Sequence, residues 1–126
     1  MNPIEVLITK PTVLVIGGGI TGKSVVEFLT KFECKILLVD YKPQPSIAGI
    51  SYYPDSTEFS DLGKIDYAVK SPGFKPNHPI LLELRKNSIP VVSEIELARH
   101  FFKGKIIGIT GTDGKSTTCY VLYELL

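Results

Sequence analysis

The chain alternates short apolar runs with segments of helical hydrophobic spacing. Two runs, Thr12–Ile16 and Lys35–Asp40, are apolar on both faces and predict buried parallel strands. Weaker or later runs predict further strands at 50–53, 66–70, 90–93 and 105–109. Helical spacing predicts helices at 22–32, 80–87, 94–102 and 114–126. Ser93 and Glu96 stand three residues apart at the start of the third helix, as a capping box requires.

Strands that alternate with helices indicate an α/β fold, a parallel sheet with helices on both faces. Ligands of such sheets bind at the carboxyl ends of the strands. Gly104 interrupts the pattern after the third helix. We therefore predict one domain over residues 1–103 and the start of a second over residues 104–126.

Composition excludes several classes of partner. The formal net charge of the 126 residues is +1, which gives no basic field for nucleic acid. No apolar run approaches the roughly 20 residues of a membrane helix, and no secretory signal is visible. We expect no nucleic-acid or membrane partner. Cys34 and Cys119 fall in or beside predicted core elements, so we expect buried, reduced thiols.

The first glycine turn, GGGITG at 17–22, follows the first strand and opens a helix. It fits G-x-G-x-x-G, and Asp40 closes the next strand 18 residues after Gly22, as in a Rossmann-like dinucleotide site. With Lys23 and Ser24 the same residues also fit G-x-x-x-x-G-K-S. The two patterns ordinarily mean different ligands, but both hold a phosphate or diphosphate. Tyr41 and Lys42 could border a base or be ordinary loop residues.

The second glycine turn, GTDGKST at 111–117, carries a G-K-S that can offer a lysine to phosphates and a hydroxyl to Mg²⁺. It is not a strict match to the longer nucleotide pattern, because glycine stands at 108 and 111 and not at 109. Two such turns in one chain predict two phosphorylated ligands.

The segment GITGTDGKST at 108–117 closely resembles the ATP loop of the Mur ligases, cytoplasmic amide-bond-forming enzymes of peptidoglycan precursor synthesis. Three further segments resemble those of the branch of this family that adds D-glutamate. They are the first glycine turn at 17–22, Ser71-Pro72-Gly73 with the following His78-Pro79, and SEIEL at 93–97. The resemblance covers nearly the whole chain, in the expected order.

This resemblance implies two binding sites. Residues 1–103 would be a Rossmann-like domain that holds the UDP moiety of UDP-N-acetylmuramoyl-L-alanine, and residues 104–126 the first strand, loop and helix of a central P-loop ATPase domain. UDP would contact Gly17, Gly19, Ile20, Thr21, Gly22, Asp40, Tyr41, Lys42, Ser71, Pro72 and Gly73. ATP would contact Gly111, Thr112, Asp113, Gly114, Lys115, Ser116 and Thr117. Lys115 and Ser116 would be catalytic, Lys115 by neutralising the transferring phosphoryl group and Ser116 by coordinating Mg²⁺.

The implied reaction is ATP-dependent addition of D-glutamate through an acyl phosphate, in the cytoplasm. The family usually has Asn where Asp113 stands. Its remaining metal ligands and its amino-acid-binding domain would lie beyond residue 126, so we expect this chain to bind UDP without catalysing, and to self-associate through its last helix. Two rival hypotheses are an NAD(P)-binding oxidoreductase domain, which leaves the second turn unused, and a non-catalytic nucleotide-binding module.

Overall fold

The computed structural model describes residues 3–126 and contains one five-stranded parallel sheet. The strands are β1 (Thr12–Ile16), β2 (Lys35–Asp40), β3 (Ile50–Pro54), β4 (Tyr67–Lys70) and β5 (Val91–Ser93), in the order β3-β2-β1-β4-β5. Every neighbouring pair is parallel, and β1 lies at the centre. The α/β prediction with a Rossmann-like parallel sheet is confirmed.

Helices cover both faces of this sheet. They are α1 (Pro3–Ile8), α2 (Ile20–Leu29), α3 (Pro79–Lys86), α4 (Glu94–Phe101) and α5 (Lys115–Leu125), with a 3₁₀ turn at Phe59–Leu62. Side chains of β1 and β2 alternate between the two cores, as a strand's period of two requires. One core joins the sheet to α1, α2 and α4, and the other joins it to α3 and the 3₁₀ turn. The short helix α1 was not predicted.

Tyr67 is fully buried in the core on the α2 and α4 side. Its hydroxyl has no hydrogen-bond partner among the residues that the structure describes. Burial raises the pKa of this hydroxyl well above its ordinary value of 10.0, and the nearby Cys34 thiol adds to the rise. The residue therefore contributes apolar packing and carries an uncompensated polar atom.

The predicted capping box at the start of α4 is formed. The Ser93 hydroxyl accepts the Glu96 backbone N–H at 3.2 Å, and the Glu96 carboxylate accepts the Ser93 N–H at 2.6 Å. These bonds hold the pKa of Glu96 below its ordinary value. The cap fixes the chain direction as it leaves β5, the last strand of the sheet.

The segment after α4 departs from prediction. Residues 105–109 do not form the predicted strand, because a strand needs a neighbour to pair with and the sheet ends at β5. The following helix α5 is formed and buries none of its residues. Cys119 lies on it and is exposed, contrary to expectation, whereas Cys34 is partly buried; both are free thiols. Within residues 3–126 no helix combines the length and apolar character needed to cross a bilayer.

Candidate functional site

The first glycine turn lies at the carboxyl end of the central strand, between the ends of β2 and β4. The Gly17 N–H donates to the Val39 carbonyl of β2 at 2.8 Å. On the other side, the Ser71 N–H donates to the Ile16 carbonyl of β1 at 2.9 Å. The turn therefore sits where parallel sheets of this type bind their ligands.

Two of its glycines serve the packing of the turn against α2. Gly17 adopts a φ of +100°, which side-chain-bearing residues rarely adopt. A Cβ on Gly22 would overlap the Gly17 carbonyl oxygen and lie 2.8 Å from the carbonyl carbon. The Ser71 hydroxyl donates to the same oxygen at 3.3 Å. Gly22 thus permits the close approach of helix and turn, and Ser71, the residue directly after β4, stabilises it through this hydrogen bond.

The buried side chain of Asp40 contacts one side of the first glycine turn. It is only 5% exposed, and its Oδ2 accepts the Gly18 N–H. The same oxygen accepts Gln44 Nε2 at 3.3 Å, and Oδ1 accepts the Lys42 N–H at 2.9 Å. The carboxylate therefore ties the loop after β2 to the glycine turn. A contact between Asp40 and a ligand stays a prediction.

The other side of the turn is open. Gly19 is the N-cap of α2, with extended backbone and no side-chain cap. A Cβ on Gly19 would meet no atom of the described residues within 4 Å, and the next residue, Ile20, is 90% exposed. The first N–H groups of a helix have no partner within it, and the helix dipole makes this end positive. The space and the uncapped amides at residues 19–21 fit a phosphate or diphosphate.

The remaining residues predicted for UDP lie on the same edge of the sheet. Tyr41 is exposed just beyond β2, and Lys42 Nζ lies 5.4 Å from its ring centroid. Pro72 and Gly73 are exposed at the start of the loop after β4. The structure thus brings Ser71 to the turn itself and leaves Pro72 and Gly73 at its border.

Sequence reasoning missed a group of contacts around the 71–79 loop. His78 Nδ1 accepts the Ile80 N–H at 3.3 Å and so caps α3, while its Nε2 lies 3.7 Å from Asp55 Oδ2. The rings of Phe74 and His78 meet edge to face at 5.0 Å. His78 therefore holds the loop in place. Its position directly before Pro79, at the first residue of a helix, was the available signal.

The second glycine turn is formed locally but stands exposed. Gly111 and Gly114 have φ of +152° and +76°, and Gly114 is the N-cap of α5. Lys115 Nζ donates to the Gly111 carbonyl, so the side chain folds back and its ammonium group lies over the turn. Thr112, Asp113, Ser116 and Thr117 are exposed. The positive-φ glycines and uncapped helix start fit a phosphate.

The second glycine turn offers few side-chain ligands for a metal ion. Within the described part of the chain no group of three or more His, Cys, Asp or Glu side chains could hold an ion. Ser116 contributes a single hydroxyl, whereas Mg²⁺ is octahedral and takes several oxygen ligands. These residues alone do not form a Mg²⁺ site.

An apolar groove of about 570 Å³ runs between α2 and α4, lined mainly by hydrophobic side chains of both helices with Phe102 and Ile106. Glu94 also lines the groove, and one of its carboxylate oxygens is buried with no hydrogen-bond partner within residues 3–126. Thr21, Ser24 and Arg99 also line the groove, but its largely apolar wall and the buried carboxylate oxygen do not suit a diphosphate. We therefore place the candidate nucleotide site at the first glycine turn.

Comparison with known proteins shows which family this sequence resembles. The model of the N-terminal domain of MurD-like Mur ligases matches residues 11–93. A UDP-N-acetylmuramoylalanine–D-glutamate ligase of Leptospira interrogans is 48% identical over 114 residues, covering 90% of this chain and 24% of that protein. The proteins of the same name from Leptospira borgpetersenii and Chlorobium luteolum are 47% and 37% identical over 90% of this chain, which covers 24% and 26% of them. The chain spans about a quarter of the length of these relatives.

Proposed function

The chain belongs to the family of MurD-like N-terminal domains of Mur ligases, and from this membership we propose that it binds the UDP moiety of UDP-N-acetylmuramoyl-L-alanine at the first glycine turn. The observation that carries the proposal is the open, uncapped start of α2 at residues 19–21, beside a turn that Asp40 and Ser71 hold in place. Backbone N–H groups and the positive helix end would accept the diphosphate.

Titration with UDP, followed by NMR, tests this site. UDP should shift the amide resonances of residues 17–22, and Gly19→Val should abolish binding because its side chain fills the open space. Gly108→Val is the matched control, since a Cβ there also meets nothing within 4 Å and lies outside the turn. A wild-type chain without UDP-induced shifts at this turn at millimolar ligand contradicts the proposal. Binding of NAD⁺ instead of UDP would favour the oxidoreductase hypothesis.

We further propose that a longer protein containing this chain is an ATP-dependent ligase that adds D-glutamate. Bound at residues 111–117, ATP would transfer its γ-phosphoryl group to the substrate carboxylate, giving an acyl phosphate and ADP. The D-glutamate amine would then attack the acyl carbon, forming the amide bond with release of inorganic phosphate and a proton. Lys115 already lies over this turn and would neutralise the phosphoryl charge. Ser116 would give one oxygen to Mg²⁺, with the other ligands supplied from outside the described residues. The reaction belongs in the cytoplasm, where this family acts.

Two lysines that follow similar turns provide the test in such a longer protein. Lys115→Ala should lower kcat by about 10²–10³-fold, because preorganised charge at the reacting group is lost. Lys23→Ala should raise KM for the UDP substrate with little change in kcat, since the diphosphate does not react. The opposite pattern would show that the two sites are exchanged. A longer protein that binds UDP and lacks ligase activity would favour the non-catalytic module.

A further inference from the structure

A closed series of contacts leaves the first glycine turn, crosses the carboxyl edge of the sheet and returns to the turn. Three of its members, Phe74, His78 and Asp55, belong to neither glycine motif. In order of contact the members are Gly17, Phe74, His78, Asp55, Asp40 and Gly18. The two flanks of the turn are therefore joined a second time, outside the turn itself.

The half of the series on the β4 side begins at Gly17. A Cβ on Gly17 would lie 3.4 Å from Phe74 Cδ2, so the Phe74 ring packs beside this glycine. The Phe74 N–H donates to the Ser71 carbonyl at 3.3 Å, and its ring meets the His78 ring at a centroid distance of 5.0 Å. Through Phe74, His78 therefore supports the segment that begins at Ser71.

The half on the β2 side is built by Asp55, the residue directly after β3. Its N–H donates to the Asp40 carbonyl at 3.0 Å, and the Asp40 carboxylate accepts the Gly18 N–H. Its Oδ2 lies 3.7 Å from His78 Nε2, a distance that suits an ion pair and exceeds that of a hydrogen bond. We call the His78–Asp55 pair the clasp, because it joins the end of β3 to the loop after β4 across β2 and β1.

The hydrogen bond at the other ring nitrogen decides which form of His78 fits this arrangement. Nδ1 accepts the Ile80 N–H at 3.3 Å, so the proton of the neutral ring lies on Nε2, the nitrogen next to Asp55. An imidazolium carries N–H groups at both nitrogens, so protonation would set two donors against each other and remove the α3 cap. The charged pair would gain little in return, because the side chains of His78 and Asp55 are 18% and 36% exposed. The neutral ring is therefore the form that holds the loop.

Other charged groups surround the ring on two elements. The cleft between residues 55–60 and α3 adjoins it and carries Glu58 and Glu83, and Lys75 lies in the ring's own loop. Carboxylates and ammonium groups ordinarily titrate outside the range of about pH 5 to 8, in which imidazole side chains change their charge. A pH series over this range therefore addresses the histidine ring.

We propose that His78 is a positioning residue for the ligand site, because the clasp holds both flanks of the first glycine turn only while the His78 ring is neutral. The proposal rests on the proposed function, since the supported segment, residues 71–73, is one that we assign to UDP. Ligand affinity should then fall as the pH falls from 8 to 5.

NMR of the ligand-free chain tests the clasp itself. In the wild type, the His78 ring should carry its proton on Nε2 at pH 8, and amide resonances within residues 71–74 and 40–42 should shift with the same midpoint as the ring. In Asp55→Asn the response at 40–42 should be lost, while that at 71–74 stays. His100→Asn is the matched control, because it removes the other histidine of the chain, on α4, and should change neither response.

Titration with UDP-N-acetylmuramoyl-L-alanine, followed by calorimetry, measures the consequence for binding. Its diphosphate is substituted at both ends and keeps its charge over this pH range. Wild-type affinity should be about fivefold weaker at pH 5 than at pH 8, which corresponds to the loss of one cap hydrogen bond. His78→Asn should bind with an affinity independent of pH, because asparagine caps a helix and does not titrate. His78→Ala should bind at pH 8 about as weakly as the wild type does at pH 5.

Amide resonances at 71–74 that do not follow the titration of the His78 ring would overturn the proposal. A wild-type affinity that is equal at pH 5 and pH 8 would do the same, as would a His78→Asn variant with the pH dependence of the wild type. The proposed function fails separately, through absence of UDP-induced shifts at residues 17–22 at every pH. The ligand-free titration still decides in that case whether His78 holds the turn.

Discussion

Replacing Gly22 by alanine should destabilise the packing of α2 against the glycine turn. The added Cβ would overlap the Gly17 carbonyl oxygen and approach its carbon to 2.8 Å, below the 3.0 Å that Cβ contacts respect. Both atoms are backbone, so α2 and the turn must move apart. Overpacking of this kind costs about 3 kcal/mol, and the better helix propensity of alanine returns roughly 1 kcal/mol.

The expected net loss in the free energy of unfolding is thus about 2 kcal/mol, or a fall in Tm of about 7 °C for a chain of this size. Gly19→Ala is the matched control in the same turn. Its Cβ meets nothing within 4 Å, and exchanging glycine for alanine at an N-cap costs at most about 1 kcal/mol. Thermal and urea unfolding followed by circular dichroism measure both variants, and an unchanged urea m-value shows that the compactness of the two states is preserved.

The two variants should also differ in their affinity for UDP. Gly19→Ala is expected to keep most of its stability and lose UDP affinity, because its methyl group enters the open space. Gly22→Ala is expected to lose stability first. If Gly22→Ala has the Tm of the wild type, or if Gly19→Ala is less stable than Gly22→Ala, the assignment of Gly22 to packing and of Gly19 to ligand binding is refuted.

Three further outcomes are expected. Tyr67→Phe should raise the free energy of unfolding by about 1 kcal/mol, because it removes a buried hydroxyl that has no partner among the described residues. Folding raises the pKa of the Tyr67 hydroxyl, so the stability of the wild type should fall as the pH rises above about 10. Urea unfolding measured across this pH range should show a smaller fall for the variant. Ser93→Ala should cost about 1 kcal/mol through loss of the α4 cap, and a Tm equal to that of the wild type would contradict this. Helix α5, which buries no residue, should exchange its amide hydrogens rapidly or pack on a second copy of the chain; strong protection in a dilute monomer would disprove both.

The sheet could be predicted because β1 and β2 are apolar on both faces, a pattern that only burial explains. The α4 cap could be predicted because Ser93 and Glu96 act within one turn of helix. Residues 105–109 carry the same strand-like pattern and form no strand, because pairing depends on a neighbour that local sequence does not specify.

The geometry of the candidate site could be predicted only in part, and ligand binding there stays a prediction. The glycine spacing located the turn and the open start of α2. Gln44 lies between two prolines in a loop without periodicity, so nothing in the local pattern placed its amide on Gly18. The role of His78 likewise required Asp55, 23 residues earlier in the chain, to be brought beside it. Contacts between loops depend on the complete packing of the sheet.

The central position of β1 has a consequence for the smallest piece of chain that can form the complete glycine turn. The glycine motif ends at residue 22, but its shape is set by Asp40 on one flank and by Ser71, 54 residues from Gly17, on the other. A chain shortened before Tyr67 would retain the complete motif and lose both β4 and Ser71, the residue that contacts the turn from this flank. During synthesis, the turn therefore reaches the shape to which we assign the ligand only after β4 and Ser71 have left the ribosome and joined β1, so that under the proposed function binding would follow completion of the sheet's centre.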